Sequence, residues 1–205
     1  MDPAHTASRR TWTRLGGAAA RLARHRRPRL LVAVGIIAAD AVMWRLPLPR
    51  VVLGAADELC HLGTAGLIVL VSRVMLGEPR RLRLAAALAA AVLIDIDHLP
   101  RELFGVDVVT AGTARPYGHS ALAILLACAL ALALRRSATA SSVAWGTALG
   151  IALHLVRDMP TGGVPLGWPV SATTVSYPYP VYALVLLIAA AWPIRQDSRE
   201  RQETD

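Results

Sequence analysis

Residues 82–100 read LRLAAALAAAVLIDIDHLP, an alanine- and leucine-rich run suited to a lipid bilayer that finishes in Asp95, Asp97 and His98. Each of those groups is costly to take out of water, so the segment makes sense only if its charged end meets partners or solvent. Pro100 is expected to stop the helix just beyond.

The rest of the chain shares this character. Of its 205 residues 55% are hydrophobic, which excludes an ordinary soluble domain and indicates an integral membrane protein. All 22 basic residues are arginine, a usage that fits the coding bias of a GC-rich bacterial genome and carries no chemistry. A formal charge of +8 would suggest nucleic acid in a soluble protein. Here its distribution fits membrane topology, and no nucleic-acid partner is expected. Cys60 and Cys128 fall inside apolar runs and read as small buried hydrophobes, with no disulfide framework or CxxC metal pattern.

Six apolar stretches cover about 30–48, 51–76, 84–99, 119–134, 142–158 and 180–194. Several are near or below the ~17–25 residues of a full span, so their helices should extend into the flanks or tilt. The expected fold is all-α: a polytopic membrane helix bundle of about six transmembrane helices. A basic arm over 1–29 precedes it, either disordered or lying on an anionic membrane surface through Trp12, Leu15, Ala19 and Leu22. The membrane domain is expected over 30–195 and a polar tail over 196–205. The first apolar run is read as a retained span rather than a cleaved signal. The leader before it is long, and Asp40 interrupts the small-residue motif Ala39-Asp40-Ala41.

Counting arginines orients the bundle. With a cytoplasmic N-terminus, the inside segments hold seventeen arginines and the outside five (Arg45, Arg50, Arg101, Arg115 and Arg157). That asymmetry favours both termini in the cytoplasm of a bacterial inner membrane. The third span then runs outward to Asp95, Asp97 and His98, and the fourth starts at the outer face with His119. The fifth ends outward with His154 and Asp158, while the second carries Asp57, Glu58 and His61 a few turns below the outer surface. Asp40 in the first span lies at similar depth.

Ionisable groups from five spans thus converge on one layer beneath the extracytoplasmic surface. The six carboxylates, with neutral histidines, carry a charge of about minus six that divalent cations would offset. His154-x-x-x-Asp158 and Asp57-x-x-x-His61 each put an imidazole and a carboxylate on one helix face, and Asp95 and His98 share a face at i, i+3. Such mixed nitrogen and oxygen donors suit zinc or a similar transition metal. Asp40 is expected to make an interhelical polar contact, and Asp97 to face away from Asp95 and His98 if the helix continues. His5 and His25, in the arginine-rich arm, read as solvated. Beyond Asp158, the proline- and glycine-rich MPTGGVPLGWPVSATTVSYPYP (159–180) is not expected to be helical. It is either a solvated interfacial loop, with Trp168, Tyr177 and Tyr179 at the membrane interface, or a lid across the polar layer.

The ordered set His61, LIDIDH (93–98), GHS (118–120) and HLVRDMPTGGVPLGWP (154–169) resembles the YdjM-like family of bacterial membrane-bound metal-dependent hydrolases. That family is distantly similar to zinc-dependent phospholipase C and P1 nuclease. Two positions depart from the family pattern: Ile94 stands where it has proline, and Ala114 where it has a histidine.

The resemblance implies a metal-dependent hydrolase of phosphoester bonds, possibly in lipid headgroups, working at the extracytoplasmic side of the bilayer. The expected metal ligands are His61, Asp95, His98, His119, His154 and Asp158. Asp97 or Glu58 would act as general base on water, and Arg115 or Arg157 would stabilise developing negative charge. The alternatives are an ion- or proton-coupled transporter and a non-catalytic metal-binding membrane protein.

Overall fold

A computed structural model describes residues 26–76, 81–98 and 115–192, together with the isolated positions Pro100, Phe104 and Gly105. The arm up to position 25 with both its histidines, the tail over 196–205 and Ala114 lie outside the described residues. Within them the protein is helical: α1 (26–45), α2 (Arg50–Leu76), α3 (Arg81–Leu93), α4 (Ala121–Ala133), α5 (Ala138–Thr161) and α6 (Tyr179–Ala191). The first helix thus already includes positions 26–29, which the sequence assigned to the arm. Pro47 and Pro49 separate α1 from α2.

By length and composition, two segments can cross a membrane: Arg50–Val71 and Ala138–Thr161. With 13 residues each, α4 and α6 are apolar but short. At 1.5 Å per residue they reach about 20 Å, against a hydrocarbon core of about 30 Å. Large apolar side chains lie exposed around the bundle, among them Leu31, Leu59, Leu125, Leu130, Leu184 and Ile188. This outer surface is suited to lipid, because water would disfavour a patch of that extent.

At the centre is α5, which contacts α2, α3, α4 and α6, most extensively α3. Small residues explain the closeness. A side chain at Gly146 would collide with the Arg83 carbonyl, and one at Gly150 with the Ala87 carbonyl. One turn further on, His154 Nδ1 lies 2.8 Å from the Ala91 carbonyl. The pairs 83/146, 87/150 and 91/154 share one sequence offset, 63 residues, so α3 and α5 run parallel in fixed register. Another turn brings Asp95 and Asp158 to the same level. The glycines at i, i+4 let the backbones approach closely, as small-residue pairs do between membrane helices.

The other half of the bundle is conventional packing: Ala33 and Ile36 of α1, Cys60 and Leu67 of α2, and Tyr182, Leu186 and Ala190 of α6. Thr64 Oγ1 and Tyr182 Oη are hydrogen-bonded at 2.6 Å inside it. Arg29 Nη1 donates to the Trp192 carbonyl at 2.9 Å, satisfying a carbonyl at the end of α6. Cys60 is buried, and both Cys60 and Cys128 are free thiols.

The proline-rich segment behaves differently from expectation at its start. Pro160 lies inside the last turn of α5, which continues to Thr161. A proline there denies the Val156 carbonyl its helical N–H donor, and the Tyr177 hydroxyl donates to that carbonyl instead. The intervening chain folds as a hairpin with Val164 and Val175 bridged, Gly163 supplying a positive φ of 74° at its base. Tyr117 stacks on Trp168 at 4.2 Å, and the Ala121 N–H donates to the Leu166 carbonyl. The hairpin is thereby tied to the start of α4, beside His119.

Candidate metal centre

The α3/α5 register carries the polar residues to one end of the bundle. There His154 and Asp158 project from α5, His61, Asp57 and Glu58 from α2, and Asp95, Asp97 and His98 from the end of α3. At that end α3 tightens into a 3₁₀ turn over Ile94–His98. In an α-helix Asp97 would sit about 160° around the axis from Asp95; three residues per turn reduce that to about 120°. Asp97 therefore lies against the cluster instead of facing away, its Oδ2 3.6 Å from His119 Nδ1. Gly118 is what admits it, because a Cβ there would come within 2.6 Å of Asp97 Oδ2.

His119 enters from the turn before α4, held by its N–H on the Pro116 carbonyl at 3.0 Å. Its Nε2 lies 2.9 Å from Asp95 Oδ1, 3.1 Å from His154 Nε2 and 3.4 Å from Asp158 Oδ2. His154 Nε2 is 3.3 Å from Asp95 Oδ1 and 3.1 Å from Asp158 Oδ2. Ligands about 2.0–2.1 Å from one tetrahedral ion would stand about 3.3–3.4 Å apart; the spacings here, 2.9 to 3.4 Å, are within reach of a shared ion and, at the short end, are those of direct hydrogen bonds.

The tautomer of His154 follows from its neighbour. A carbonyl can only accept, so Nδ1 carries the proton given to Ala91 and Nε2 is the nitrogen that faces the cluster. Nε2 meets Asp95 Oδ1 and Asp158 Oδ2, an arrangement satisfied by a proton on that nitrogen or by a cation among the three atoms. A backbone carbonyl behind the imidazole is the usual support of a metal-ligating histidine.

His61 and Asp158 complete the fit. Their side chains are fully buried, with His61 Nε2 3.4 Å from Asp158 Oδ1. Among the described residues, neither His61 ring nitrogen nor Asp158 Oδ1 has a hydrogen-bond partner. Enclosed donors left without partners are costly unless something binds them. Imidazoles and carboxylates together suit a divalent transition metal.

Of the remaining predicted residues, His98 stands at the rim with Nε2 3.5 Å from Asp95 Oδ1. Glu58 lies against Asp95. Arg115 reaches in from the α4 side, Nη1 2.6 Å from Asp158 Oδ2, its guanidinium passing over Gly162, which has no side chain to obstruct it. Arg157 turns elsewhere. It is fully buried, donates to Asp40 Oδ1 at 2.9 Å and pairs with Asp57 Oδ1. Tyr179, which sequence reasoning assigned to the membrane interface, donates to Asp40 Oδ2 at 2.7 Å. Asp40 makes the interhelical contact expected of it. The glycine pair at 146 and 150 went unread, although its GxxxG spacing is a recognised signal of close helix contact.

A helical bundle with an apolar outer surface and a buried histidine–aspartate cluster at one end has the architecture of an integral membrane protein with a buried polar site. Residues 57–203 match the YdjM inner membrane protein family. The chain belongs to that family, and its surroundings are the lipid of an inner membrane. No curated protein and no solved structure matches it.

Proposed function

We propose that the protein is a membrane-bound, metal-dependent hydrolase acting on phosphoester bonds at the extracytoplasmic side. The carrying observation is the convergence of His119 Nε2, His154 Nε2, Asp95 Oδ1 and Asp158 Oδ2, with the Nδ1 of His154 committed to Ala91. These four residues would hold the ion, with His98 at the rim. A bound divalent ion would supply Lewis acidity and activate water for attack. Asp97 and Glu58, carboxylates beside the donor set, are the groups available to accept the proton of that water. Arg115 joins a bond to Asp158 with 17% side-chain exposure, which suits it to meet an anionic oxygen. Arg157 instead pairs with Asp40 and Asp57. The arginine asymmetry supports the extracytoplasmic assignment, and a site at membrane depth is compatible with a lipid headgroup as substrate.

The test is to purify the chain in detergent without chelators, measure bound transition metal by mass spectrometry, and assay model phosphodiesters and phospholipids with and without chelator. Wild type should carry metal and show chelator-sensitive hydrolysis, while His154→Ala loses both. Absence of tightly bound metal from wild type would sink the reading. Metal without hydrolysis of any phosphoester would make the protein a binder, and ion flux in proteoliposomes that survives metal removal would make it a transporter.

A further inference from the structure

We propose that the end of the bundle opposite the histidine–aspartate cluster is a binding surface for anionic phospholipid headgroups, with Arg26 and Arg83 as its anchoring contacts. None of its residues belongs to the metal centre, and the surface stands whether or not that centre holds an ion.

The directions of the helices collect arginines there. Tyr179 at the start of α6 bonds Asp40 of α1, and Arg29 of α1 bonds the Trp192 carbonyl just past the end of α6. The two helices are thus antiparallel, and α1 begins at the far end. α3 starts at Arg81 and finishes at the aspartates, with Arg83 level with Gly146 of α5. α4 returns alongside α5, Ser141 Oγ donating to the Ala131 carbonyl, so the turn with Arg135 and Arg136 closes the same end. Seven described arginines gather at that end: three in the first turn of α1, two in that of α3 and two between α4 and α5. All six described carboxylates lie at the other end. The adjoining segments 1–25, 77–80 and 193–205 hold nine arginines and six carboxylates, so they add to the excess. Basic groups clustered at a membrane face draw anionic lipid to them.

Two of these arginines are built in more firmly than the rest. Arg26 Nε and Arg83 Nε are enclosed by protein, and neither has a hydrogen-bond partner among the described residues. Both residues are half-buried, so packing around Nε fixes the guanidinium plane and leaves the Nη groups as the donors offered outward. A phosphate is the anion such a fork takes bidentately. The apolar neighbours decide which phosphate. Leu31 lies one turn from Arg27, Leu82 stands between Arg81 and Arg83, and Leu132 is one turn before Arg136, all three exposed. Guanidinium groups bordered by leucines match both parts of a phospholipid, its phosphate and its acyl chains. A soluble polyanion would leave the leucines unmatched.

The experiment uses the full chain in detergent, incubated with phosphatidylglycerol or phosphatidylcholine of identical acyl chains, with retained lipid counted by native mass spectrometry. Wild type should keep phosphatidylglycerol in preference to phosphatidylcholine; equal retention overturns the proposal and needs no variant. The double substitution Arg26→Gln and Arg83→Gln should weaken phosphatidylglycerol retention on the order of tenfold and leave that of phosphatidylcholine unchanged. Arg45→Gln with Arg50→Gln, at the opposite end, should keep the preference. An unaltered preference in the first pair, or its loss in the second, places the lipid elsewhere and overturns the assignment. Inorganic phosphate at equal concentration should not displace the lipid; displacement would make the surface one for free phosphate and defeat the proposal.

Discussion

Two buried polar clusters lie next to each other at one end of the bundle, joined through Asp57. In the first, Arg157 faces Asp40 and Asp57, and Tyr179 donates to Asp40. In the second, His61, His119 and His154 face Asp95, Asp97 and Asp158, with Arg115 at the edge. Both are built from side chains that membrane interiors disfavour. The first sets one guanidinium against two carboxylates, its Nη2 bonded to both, while its Nε and Nη1 have no hydrogen-bond partner among the described residues. The second sets one guanidinium against three carboxylates, and there the unpartnered atoms are potential metal donors, the His61 nitrogens and Asp158 Oδ1. An arginine closed on carboxylates holds helices together, whereas histidines and carboxylates with open donor atoms have the character of a binding site. Adjacent residues 157 and 158 of one helix serve one cluster each.

The largest expected effect breaks the closed cluster. Arg157→Leu keeps most of the volume but strands Asp40, which is 1% exposed, beside Asp57. Removing one partner of a buried pair costs about 3–5 kcal/mol. Denaturation in detergent should show a loss of that order, and the added substitution Asp40→Asn should recover a sizeable part of it. If Arg157→Leu melts like wild type, the closed cluster is not structural and the contrast between the two regions collapses.

The open cluster should respond more mildly. Asp95→Asn removes a carboxylate bonded to His119 at 2.9 Å but keeps an amide oxygen that can accept in its place, so the metal-free protein should lose about 1–2 kcal/mol, less than Arg157→Leu. The same change should abolish the stabilisation by added zinc, which for wild type reaches about 2.7 kcal/mol at a hundredfold excess over the dissociation constant. Melting curves of both proteins with chelator and with zinc measure the two effects together. A metal-free Asp95→Asn destabilised as severely as Arg157→Leu would make the two clusters alike.

The contrast also explains what the sequence disclosed. His61, Asp95, His119, His154 and Asp158 were legible because ionisable groups inside apolar runs are expensive, and a topology count sufficed to bring them to one layer. Their bonding was not legible. Arg157 was counted as an outside arginine and Tyr179 as an interfacial aromatic, since nothing in one strand of sequence says that a residue of α5 reaches Asp40, 117 positions away. Asp97 was expected to face away only if the α-helix continued, and the 3₁₀ turn at Ile94–His98 that brings it to the cluster has no signature separable from an α-helix ending before Pro100. The α3/α5 register depends on Gly146 and Gly150, residues that matter through what they lack, and so a search for chemistry passed over them.

Tyr179→Phe makes the finest division within the closed cluster. It removes only the hydroxyl that donates to Asp40 Oδ2, while Asp40 Oδ1 keeps its bond to Arg157. The ring also packs edge-on to Trp44, a contact phenylalanine retains. The expected loss is therefore that of one hydrogen bond to a charged acceptor that stays partnered, about 1 kcal/mol. Because Tyr179 makes no contact with the histidines among the described residues, zinc stoichiometry should not change. A variant with lowered stability and unaltered metal content would separate the two clusters energetically. Loss of metal from Tyr179→Phe would instead mean that Asp40 and Arg157 act through Asp57 on His61, and that the two regions are one site.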